Sequence, residues 1–408
     1  MTFTEIPLGE LVTIAKDTWK PTAEPGSQVR HYSIPAFDKG SYETVQASEI
    51  ASNKFNISEP SILYSKLNPI KPRIWRVEPV DEIRSVTSTE FLVLVPNMQK
   101  DAHYIEAVLT SSQFTAKAAA LVNGTSGSHQ RIHPSDLLSI SVPWPDIDEY
   151  RVVIGQQFWM LNEKIRINQQ IASTLEQIAQ AIFKSWFVDF DPVHAKARGE
   201  DPVGMDAETA ALFPDSFEDS ALGLIPAGWK CLALGDLVQP KKGKTITKST
   251  TRDGHVPVVA GGLEPAYFHD TSNVNPPVVT ISASGANAGF VRLYTQPIWA
   301  SDCTYISRDQ SDLVLFWLQF LKLNQTRIYD MQQGGAQPHI YASDLMRLEV
   351  CVPEETSLLA SFEALIQPMF DAIGSNARAN ETLEKLRDSI LPRLISGELE
   401  IPDELLES

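Results

Sequence analysis

The sequence is poor in the features that mark secreted, membrane and zinc-binding proteins. Its three cysteines, Cys231, Cys303 and Cys351, are scattered and form no CxxC pair. This argues against a disulfide framework and a structural zinc site, so we expect a reducing, cytoplasmic compartment. No run approaches the roughly 18 consecutive apolar residues of a membrane span, and the N-terminus lacks a signal-peptide pattern. The 408 residues, 43% of them hydrophobic, can form two or three packed domains.

Positive charge is also scarce, because the formal net charge is −17. A nucleic-acid-binding protein needs basic surface, so this total argues against such a role. The deficit is unevenly distributed, however. Residues 196–228 carry 2 basic and 7 acidic side chains, and residues 353–408 carry 4 and 12. The rest of the chain is close to charge balance and can hold local basic surfaces.

An internal repeat organises the chain. At an offset of 208 residues Ile182 matches Ile390, and near the start the offset becomes 226, so the second copy is 18 residues shorter in its variable part. Each copy is expected to be a globular portion followed by a long helix. The matching segments are residues 174–176 and 382–384, residues 135–137 and 343–345, and residues 8–12 and 234–238.

The two helices carry apolar residues at alternating spacings of four and three, which is the pattern of a coiled coil. Asn168 and Asn376 occupy the same position of the two stripes, and a polar residue on such a seam typically fixes its register. Matched stripes favour pairing of the two helices, although each helix could instead pack only on its own domain. The stripes are Ile154, Phe158, Leu161, Ile165, Asn168, Ala172, Leu175, Ala179, Ile182 and Trp186, and Phe362, Ile366, Met369, Ile373, Asn376, Asn380, Leu383, Arg387, Ile390 and Leu394.

The segments between the helices predict a mixed, α+β fold. Each copy has short β-branched runs, such as residues 61–67 and 277–283, and one amphipathic helix, over 103–122 and 312–331. A Pro-, Gly- and acid-rich connection after the first helix would let the second helix return antiparallel to it. The predicted segments are a globular domain 1–146, a central helix 147–190, a linker 191–228, a second domain 229–352, a C-terminal helix 353–397 and an acidic tail 398–408.

Several stretches carry side chains suited to DNA. Basic and hydroxyl side chains on loops can neutralise and position a DNA backbone, while Arg, Gln, Asn and Ser can read base edges. Each stretch could equally be a solvated loop or a structural turn. The candidate residues are Lys66, Asn68, Lys71, Arg73, Arg76, Ser128, His129, Gln130 and Arg131 in the first copy, and Lys241, Lys242, Lys244, Lys248, Arg252, Ser284, Asn287, Gln333, Gln337 and His339 in the second.

Signatures of catalysis and cofactor binding are missing. The GKT at 243–245 lacks the earlier glycine of a P-loop, since Val238 stands there, and neither a hydrolase elbow nor HExxH occurs. NPPV at 275–278 lacks the terminal aromatic of the amino-methyltransferase tetrapeptide, and no convincing glycine-rich cofactor loop accompanies it. We therefore predict no catalytic or metal-binding residues and no cofactor bound by this chain.

The residues resemble the specificity (S) subunits of type I restriction-modification systems, in order along nearly the whole chain. Residues 183–229 are similar to that family's central region, and residues 287–305, 334–345 and 389–399 are similar to segments of its target-recognition domains and C-terminal helix. In the first globular part only "SILYSKLNP" and "GTSGSHQRIHPSDLLSISVPWP" are clearly similar.

The resemblance implies two target-recognition domains separated by two antiparallel helices. Each domain would read one half of a bipartite, asymmetric site on double-stranded DNA, and the helices would set the gap and dock two methyltransferase subunits. Restriction subunits would join that complex, and S-adenosylmethionine, ATP and magnesium would belong to the partners.

A helix of about 33 residues spans ~50 Å, so half-site centres should lie no more than about 15 bp apart. Two other classes stay open, a self-contained methyltransferase or nuclease and a coiled-coil adaptor that binds only proteins.

Overall fold

The computed structural model describes residues 2–80, 82–122, 130–220, 223–335, 337–402, 404 and 406. The chain divides into two compact units, with unit 1 formed by residues 1–167 and 379–408 and unit 2 by residues 168–378. Both boundaries fall inside long helices. The six-segment division drawn from the sequence, which treats those helices as segments of their own, stays a prediction.

Unit 1 and the first long helix are built from eleven described strands and five described α-helices. The strands are β1 Phe3–Pro7, β2 Val12–Ala15, β3 Thr18–Trp19, β4 Gln28–Tyr32, β5 Glu43–Gln46, β6 Lys54–Ile57, β7 Ser61–Ser65, β8 Ile74–Val77, β9 Arg84–Thr87, β10 Phe91–Pro96 and β11 Ser141–Pro145. The helices are α1 Ile34–Asp38, α2 Ala102–Thr110, α3 Ser112–Ala120, α4 Pro134–Ser139 and α5 Asp148–Phe187.

The remainder of the chain contains eleven described strands and seven described α-helices. Its strands are β12 Phe217–Ser220, β13 Gly223–Pro226, β14 Trp229–Ala233, β15 Lys241–Lys242, β16 Val256–Val259, β17 Tyr267–His269, β18 Val278–Ser282, β19 Val291–Tyr294, β20 Trp299–Ala300, β21 Cys303–Ser307 and β22 Glu349–Pro353. Its helices are α6 Asp191–Ala197, α7 Ala207–Ala211, α8 Leu234–Leu237, α9 Val314–Leu323, α10 Gln325–Asp330, α11 Ala342–Leu345 and α12 Ser357–Ile395.

The sheets confirm the predicted α+β class and its repeat. A four-stranded antiparallel sheet has the order β2-β10-β7-β8 in unit 1 and β15-β21-β18-β19 in unit 2. A second sheet contains a parallel pair in each unit, β4 with β9 and β16 with β20. This second sheet has five strands in unit 1 and three in unit 2. The length difference between the copies therefore lies mainly in the second sheet.

Each predicted amphipathic helix is two helices in the structure. In unit 1 the break lies at Ser111, whose Oγ accepts a hydrogen bond from the Phe114 amide at 3.2 Å and so caps α3. In unit 2 the break lies at Asn324, between α9 and α10. Serine and asparagine compete with the helical backbone for hydrogen bonds, which explains why a continuous apolar pattern does not give a continuous helix.

The long helices contact each other within each unit, and the start of one meets the end of the other. In unit 1, Tyr150, Ile154 and Phe158 of α5 share a buried cluster with Leu391 and Ile395 of α12. In unit 2, Phe183 and Phe187 of α5 lie 5.7 and 5.2 Å from Phe362 of α12 between ring centroids. The two helices therefore contact each other in the antiparallel sense in both units. The stripe residues Ile154, Phe158 and Phe362 lie at these contacts, whereas Phe183, Phe187, Leu391 and Ile395 are one position beyond the predicted stripe.

The polar residues of the seam differ from the expected symmetric pair. Asn168 is buried, whereas Asn376 is only half-buried. The second buried asparagine is Asn380, whose Nδ2 donates to the Ile165 carbonyl at 3.4 Å, and Arg387 Nη1 donates to Asn162 Oδ1 at 2.8 Å. The register role of Asn168 and Asn376 stays a prediction.

The expectation of unpaired cysteines is wrong in one respect, because Cys231 and Cys351 form a disulfide. They face each other across the antiparallel pair β14 and β22, with Cα atoms 4.0 Å apart. The corresponding pair in unit 1 is Glu5 and Pro143 on β1 and β11. Cysteine number and spacing cannot reveal such a pairing, since 120 residues separate the two positions. Cys303 is a free, buried thiol.

A half-buried carboxylate holds the start of α9 in unit 2. The amides of Leu315 and Phe316 donate to Oε1 and Oε2 of Glu363 on α12 at 2.9 and 2.8 Å. Burial raises the pKa of Glu363 to about 6. In unit 1 the equivalent helix position is Gly155, where a Cβ would come within 2.5 Å of the Tyr104 amide nitrogen. In unit 1 the backbone of α5 at Gly155 therefore packs directly against the start of α2. In unit 2 the Glu363 carboxylate of α12 accepts hydrogen bonds from the start of α9.

Removal of this carboxylate should destabilise unit 2. Glu363→Ala leaves two helix-start amides without their acceptors and should lower the free energy of unfolding by about 1–3 kcal/mol, and Glu363→Gln should lower it less. The carboxyl pKa is about 6 in the folded protein against an ordinary value of 4.5, so the folded state holds more protons between these values. The part of the stability that is linked to protonation of this group should be fully present below about pH 4.5 and be lost as the pH rises through about 6.

Urea unfolding from pH 4 to 7, followed by circular dichroism, measures this effect. Glu363→Gln should flatten that part of the pH profile, whereas Glu381→Gln at an exposed position of α12 should not. An unchanged profile in Glu363→Gln would show that the carboxyl does not contribute.

The disulfide should contribute measurably to the stability of unit 2. Because it closes a loop across 120 residues, its reduction should lower the free energy of unfolding by about 2–5 kcal/mol. Denaturant unfolding with and without dithiothreitol measures the loss. The variant with Cys231→Ser and Cys351→Ser is the matched control and should no longer respond to the reductant. An unshifted wild-type transition on reduction would contradict the expectation.

Candidate DNA interface

Unit 1 brings three chain segments together at one end of its four-stranded sheet. The Lys66 amide donates to the Glu90 carbonyl at 2.9 Å, and the Lys66 carbonyl accepts from the Ile132 amide at 3.0 Å. The Asn68 amide donates to the Gln130 carbonyl at 3.0 Å. We call this meeting point of residues 66–68, Glu90 and 130–132 the unit 1 junction.

Unit 2 builds the same junction from the equivalent segments. The Ala283 amide donates to the Asp302 carbonyl at 3.2 Å, and the Ala283 carbonyl accepts from the Ile340 amide at 3.0 Å. The Gly285 amide donates to the Pro338 carbonyl at 3.0 Å. Residues 283–285, Asp302 and 338–340 form the unit 2 junction. Since all six bonds join backbone atoms, the same geometry is compatible with different side chains.

A left-handed residue turns the chain at the same place in both junctions. Asn68 has φ of 51° and Gly285 has φ of 81°. Glycine adopts this conformation without strain, and asparagine is among the few other residues that tolerate it. The carbonyls of Asn68 and Gly285 then accept from the amides of Lys71 and Ala288 at 2.9 and 3.0 Å. Asn68 therefore has a backbone role in addition to any contact of its side chain.

The unit 1 junction carries polar side chains of several kinds. Lys66, Asn68 and Gln130 are half-buried, and Arg131 is exposed and bridges to Glu90 at 3.2 Å. Lys71 is exposed beside the same turn. The predicted residues Ser128 and His129 lie outside the described part of the chain. Amide, cationic and acidic groups thus surround one turn of backbone.

Two predicted phosphate-binding arginines are paired with acids of unit 1. Arg73 binds Asp38 through two hydrogen bonds of 2.7 and 3.0 Å, and this pairing lowers the pKa of the Asp38 carboxyl. Arg76 contacts the Glu78 carboxylate and the His103 ring. Neutralising a DNA phosphate would require these arginines to leave or share their partners.

The unit 2 junction presents a different set of side chains. The Ser284 hydroxyl donates to the Asp302 carboxylate. Gln333 is exposed, exchanges two backbone hydrogen bonds with His339 at 2.9 and 2.8 Å, and donates through Nε2 to Asp344 at 3.3 Å. Gln337 is exposed and His339 half-buried. The structure therefore brings together four predicted residues from two distant segments, namely Ser284, Gln333, Gln337 and His339.

Asn287 lies in the turn that joins β18 to β19 and starts at the unit 2 junction. It is half-buried, and its carbonyl accepts from the Phe290 amide at 3.0 Å. Its backbone closes the turn, so its predicted DNA contact would have to come from the side chain alone.

Residues 241–252, the basic segment, approach the unit 2 junction through a shared neighbour. The Gly243 amide donates to the Cys303 carbonyl at 2.8 Å, and the Lys244 amide donates to the Ala300 carbonyl at 2.9 Å. Residues 300–303 thus contact the basic segment on one side and include the junction residue Asp302. The segment starts as strand β15, which the sequence interpretation had treated as loop.

The lysines of the basic segment differ from the arginines of unit 1 in their pairing. Lys241, Lys242, Lys244 and Lys248 are exposed. No ion pair joins them to any acid within the described residues, whereas Arg252 pairs with Asp270 at 2.6 Å. Unpaired, exposed ammonium groups are the side chains that can neutralise phosphates without breaking an internal salt bridge.

Sequence reasoning missed Glu90 and Asp302, the acids that precede β10 and β21. Both supply a junction carbonyl, and both contact a candidate side chain, Arg131 or Ser284. Their offset of 212 residues lies between the offsets of 226 and 208 found in the sequence, so an extended repeat alignment could have revealed them. The net charge of the chain gave no indication that these two acids lie at the junctions.

Among the described residues, no group of three or more His, Cys, Asp and Glu side chains is placed to hold a metal ion. No helix in this part of the chain is long and apolar enough to cross a membrane.

Known proteins are similar to this chain in sequence and in fold. Residues 226–362 match the family model of the type I restriction modification DNA specificity domain. The chain is 28% identical to the HindI type I restriction enzyme specificity subunit of Haemophilus influenzae, over 84% of this chain and 87% of that protein. It is 22% identical to the MjaIX specificity subunit of Methanocaldococcus jannaschii, over 66% and 63%.

The fold is similar to a crystal structure of the type I restriction-modification S subunit from M. genitalium. The TM-score is 0.60 at 12% identity, and the match covers 98% of this chain and 97% of the other. The match to the DNA specificity domain covers residues 226–362, and the chain is similar along most of its length to type I restriction enzyme specificity subunits. The likeness to the M. genitalium S subunit shows the fold that the two chains share.

Proposed function

We propose that each unit reads one half of a bipartite, asymmetric DNA site as a non-catalytic subunit. The observation that carries this proposal is the repeated junction, which has the same backbone hydrogen bonds in both units and different side chains. A shared scaffold would dock both units on DNA in a similar way. Different side chains at equivalent places would then select different bases, so the two half-sites would differ.

The side chains divide into two proposed roles. Lys241, Lys242, Lys244 and Lys248 would contact phosphates, because they are exposed and unpaired within the described chain. Junction residues would read base edges, since amides and guanidinium groups can form paired hydrogen bonds with bases in the major groove. This second group comprises Asn68, Gln130 and Arg131 in unit 1 and Ser284, Gln333, Gln337 and His339 in unit 2.

The long helices would dock methyltransferase subunits. Helix α5 leaves apolar side chains in solvent in both units, with Trp159 42% and Met160 56% exposed in unit 1, and Ile171 43% and Ile178 42% in unit 2. Exposed apolar surface of this kind commonly marks a protein interface. Two methyltransferase subunits would bind here and restriction subunits would join them. The partners would hold S-adenosylmethionine, ATP and magnesium, and the complex would act on DNA in the cytoplasm.

The proposal is tested with a pool of random-site DNA. The chain is purified with its methyltransferase partner, the pool is methylated, and the modified sites are sequenced. We expect methylation at one bipartite motif only when both chains are present. Methylation by this chain alone would identify a self-contained enzyme, and an assembled complex without DNA selectivity would identify a protein-binding adaptor.

Variants of the unit 2 junction should alter one half of that motif. Gln333→Ala with Gln337→Ala should relax or weaken selection at one half-site, because each lost pair of base contacts removes about 1–3 kcal/mol of discrimination. The other half-site should stay unchanged. Gln180→Ala on α5 is a control at a glutamine outside both junctions. Unchanged selection at both half-sites would argue against base reading by Gln333 and Gln337.

The lengths of the helices should determine the gap between half-sites. Insertion of one heptad at matching positions of α5 and α12 adds about 10 Å, or roughly 3 bp of DNA, and preserves the apolar stripe. We expect a longer gap and unchanged half-sites in the sequencing assay. The same seven residues inserted into the linker 198–206 should leave the gap unchanged. A fixed gap with altered half-site bases would refute this role of the helices.

A further inference from the structure

The basic segment is attached to the second sheet of unit 2 by three side chains. The Tyr267 hydroxyl donates to the Ile246 carbonyl at 2.5 Å. The indole N–H of Trp299 donates to the Lys244 carbonyl at 2.8 Å. The Nδ1 atom of His269 accepts from the Arg252 amide at 3.0 Å. All three bonds are made to backbone atoms of the segment, so the lysine side chains stay free of them.

Close packing and local hydrogen bonds reinforce this attachment. A Cβ at Gly243 would come within 2.2 Å of the Ser301 carbonyl oxygen, and a Cβ at Gly254 within 2.2 Å of the His269 carbonyl oxygen. Between these contacts, the Thr247 amide donates to Thr250 Oγ1 at 3.1 Å and the Thr250 amide to the Thr247 carbonyl at 2.9 Å. The segment therefore has a defined backbone shape from one end to the other.

The three anchors also support one another. The His269 and Trp299 rings pack edge to face with centroids 5.0 Å apart, and His269 is buried. Tyr267 and His269 are on β17, and Trp299 is on β20, the two strands that flank β16. Asp270, which directly follows β17, pairs with the Arg252 side chain. The sheet is thus a rigid support beneath an exposed row of lysines.

We propose that Tyr267, His269 and Trp299 are positioning residues that hold the basic segment in the shape in which its lysines bind DNA phosphates. This inference rests on the proposed function and extends it to residues that would not touch DNA. A flexible lysine-rich loop would lose backbone freedom on binding DNA, and that loss weakens affinity. A segment already fixed by its own sheet avoids most of this cost.

The test is a double-mutant cycle on the methyltransferase complex with a duplex that carries its motif. Tyr267→Phe and Trp299→Phe each remove one hydrogen bond and keep an aromatic ring, and each should weaken DNA binding about two- to tenfold. Lys248→Gln should weaken binding in the wild-type background and reduce the salt slope of log K by about 0.9. In the variant that carries both Tyr267→Phe and Trp299→Phe, Lys248→Gln should cause a smaller loss of DNA affinity and a smaller change in the salt slope.

That coupling distinguishes a positioning role from a general loss of stability, which would leave the two effects additive. His269→Asn supplies a further check, because an amide oxygen can accept from the Arg252 amide, so it should bind DNA better than His269→Leu. Tyr329→Phe, at an exposed tyrosine of α10, is the matched control and should bind normally. Circular dichroism confirms that each variant is folded.

Three outcomes would overturn the inference. The anchor variants could bind DNA as wild type does, or their effects could add to that of Lys248→Gln. Alternatively, Lys241→Gln, Lys242→Gln, Lys244→Gln and Lys248→Gln could all be silent in the wild-type background, which would remove the phosphate role of the segment. In each case methylation of a bipartite motif could persist, and the proposed reading of two half-sites would stand. Absence of any selected motif would instead refute the proposed function and this inference together.

Discussion

The junction in each unit depends on hydrogen bonds between backbone atoms of three segments that are distant in sequence. Backbone bonds impose a geometry without specifying side chains, apart from the left-handed turn occupied by Asn68 or Gly285. The junction can therefore combine a constant backbone geometry with variable side chains. The scaffold can stay the same in both units while the residues around it differ, as Arg131 and His339 do at equivalent positions.

Apolar patterns in the sequence predicted some parts of the structure and not others. The offset of 208 residues and the apolar stripes revealed the repeat and both long helices, because core-facing positions must recur at helical spacing. The strands at 61–65 and 278–282 followed from β-branched runs. Helix breaks at Ser111 and Asn324 were missed, since a capping residue inside an apolar pattern does not interrupt the pattern. The disulfide was missed because strand pairing, and not spacing, brings Cys231 to Cys351.

The candidate site was predictable in composition but not in pairing. Sequence alone placed Ser284 and His339 among the candidates, and the structure joins their segments at one junction. It could not show that Arg73 is held by an acid, because Asp38 lies 35 residues away in the sequence. Nor could it show that Tyr267, His269 and Trp299 attach the basic segment to a sheet. Ion pairs and anchoring bonds depend on tertiary neighbours, and an amino-acid type does not encode them.

The net charge of −17 is compatible with a DNA-binding role once charge is considered locally. Screening limits the effect of exposed charges to about 10 Å at 0.1 M salt, so a distant acid has little influence on a phosphate contact. What matters is whether each cation already has a partner. Arginine forms two directed bonds with a carboxylate, as Arg73 and Arg252 do here. The lysines of the basic segment have no such partner within the described chain. A small number of exposed lysines on a fixed backbone can therefore contribute more to phosphate binding than the total charge of the chain suggests.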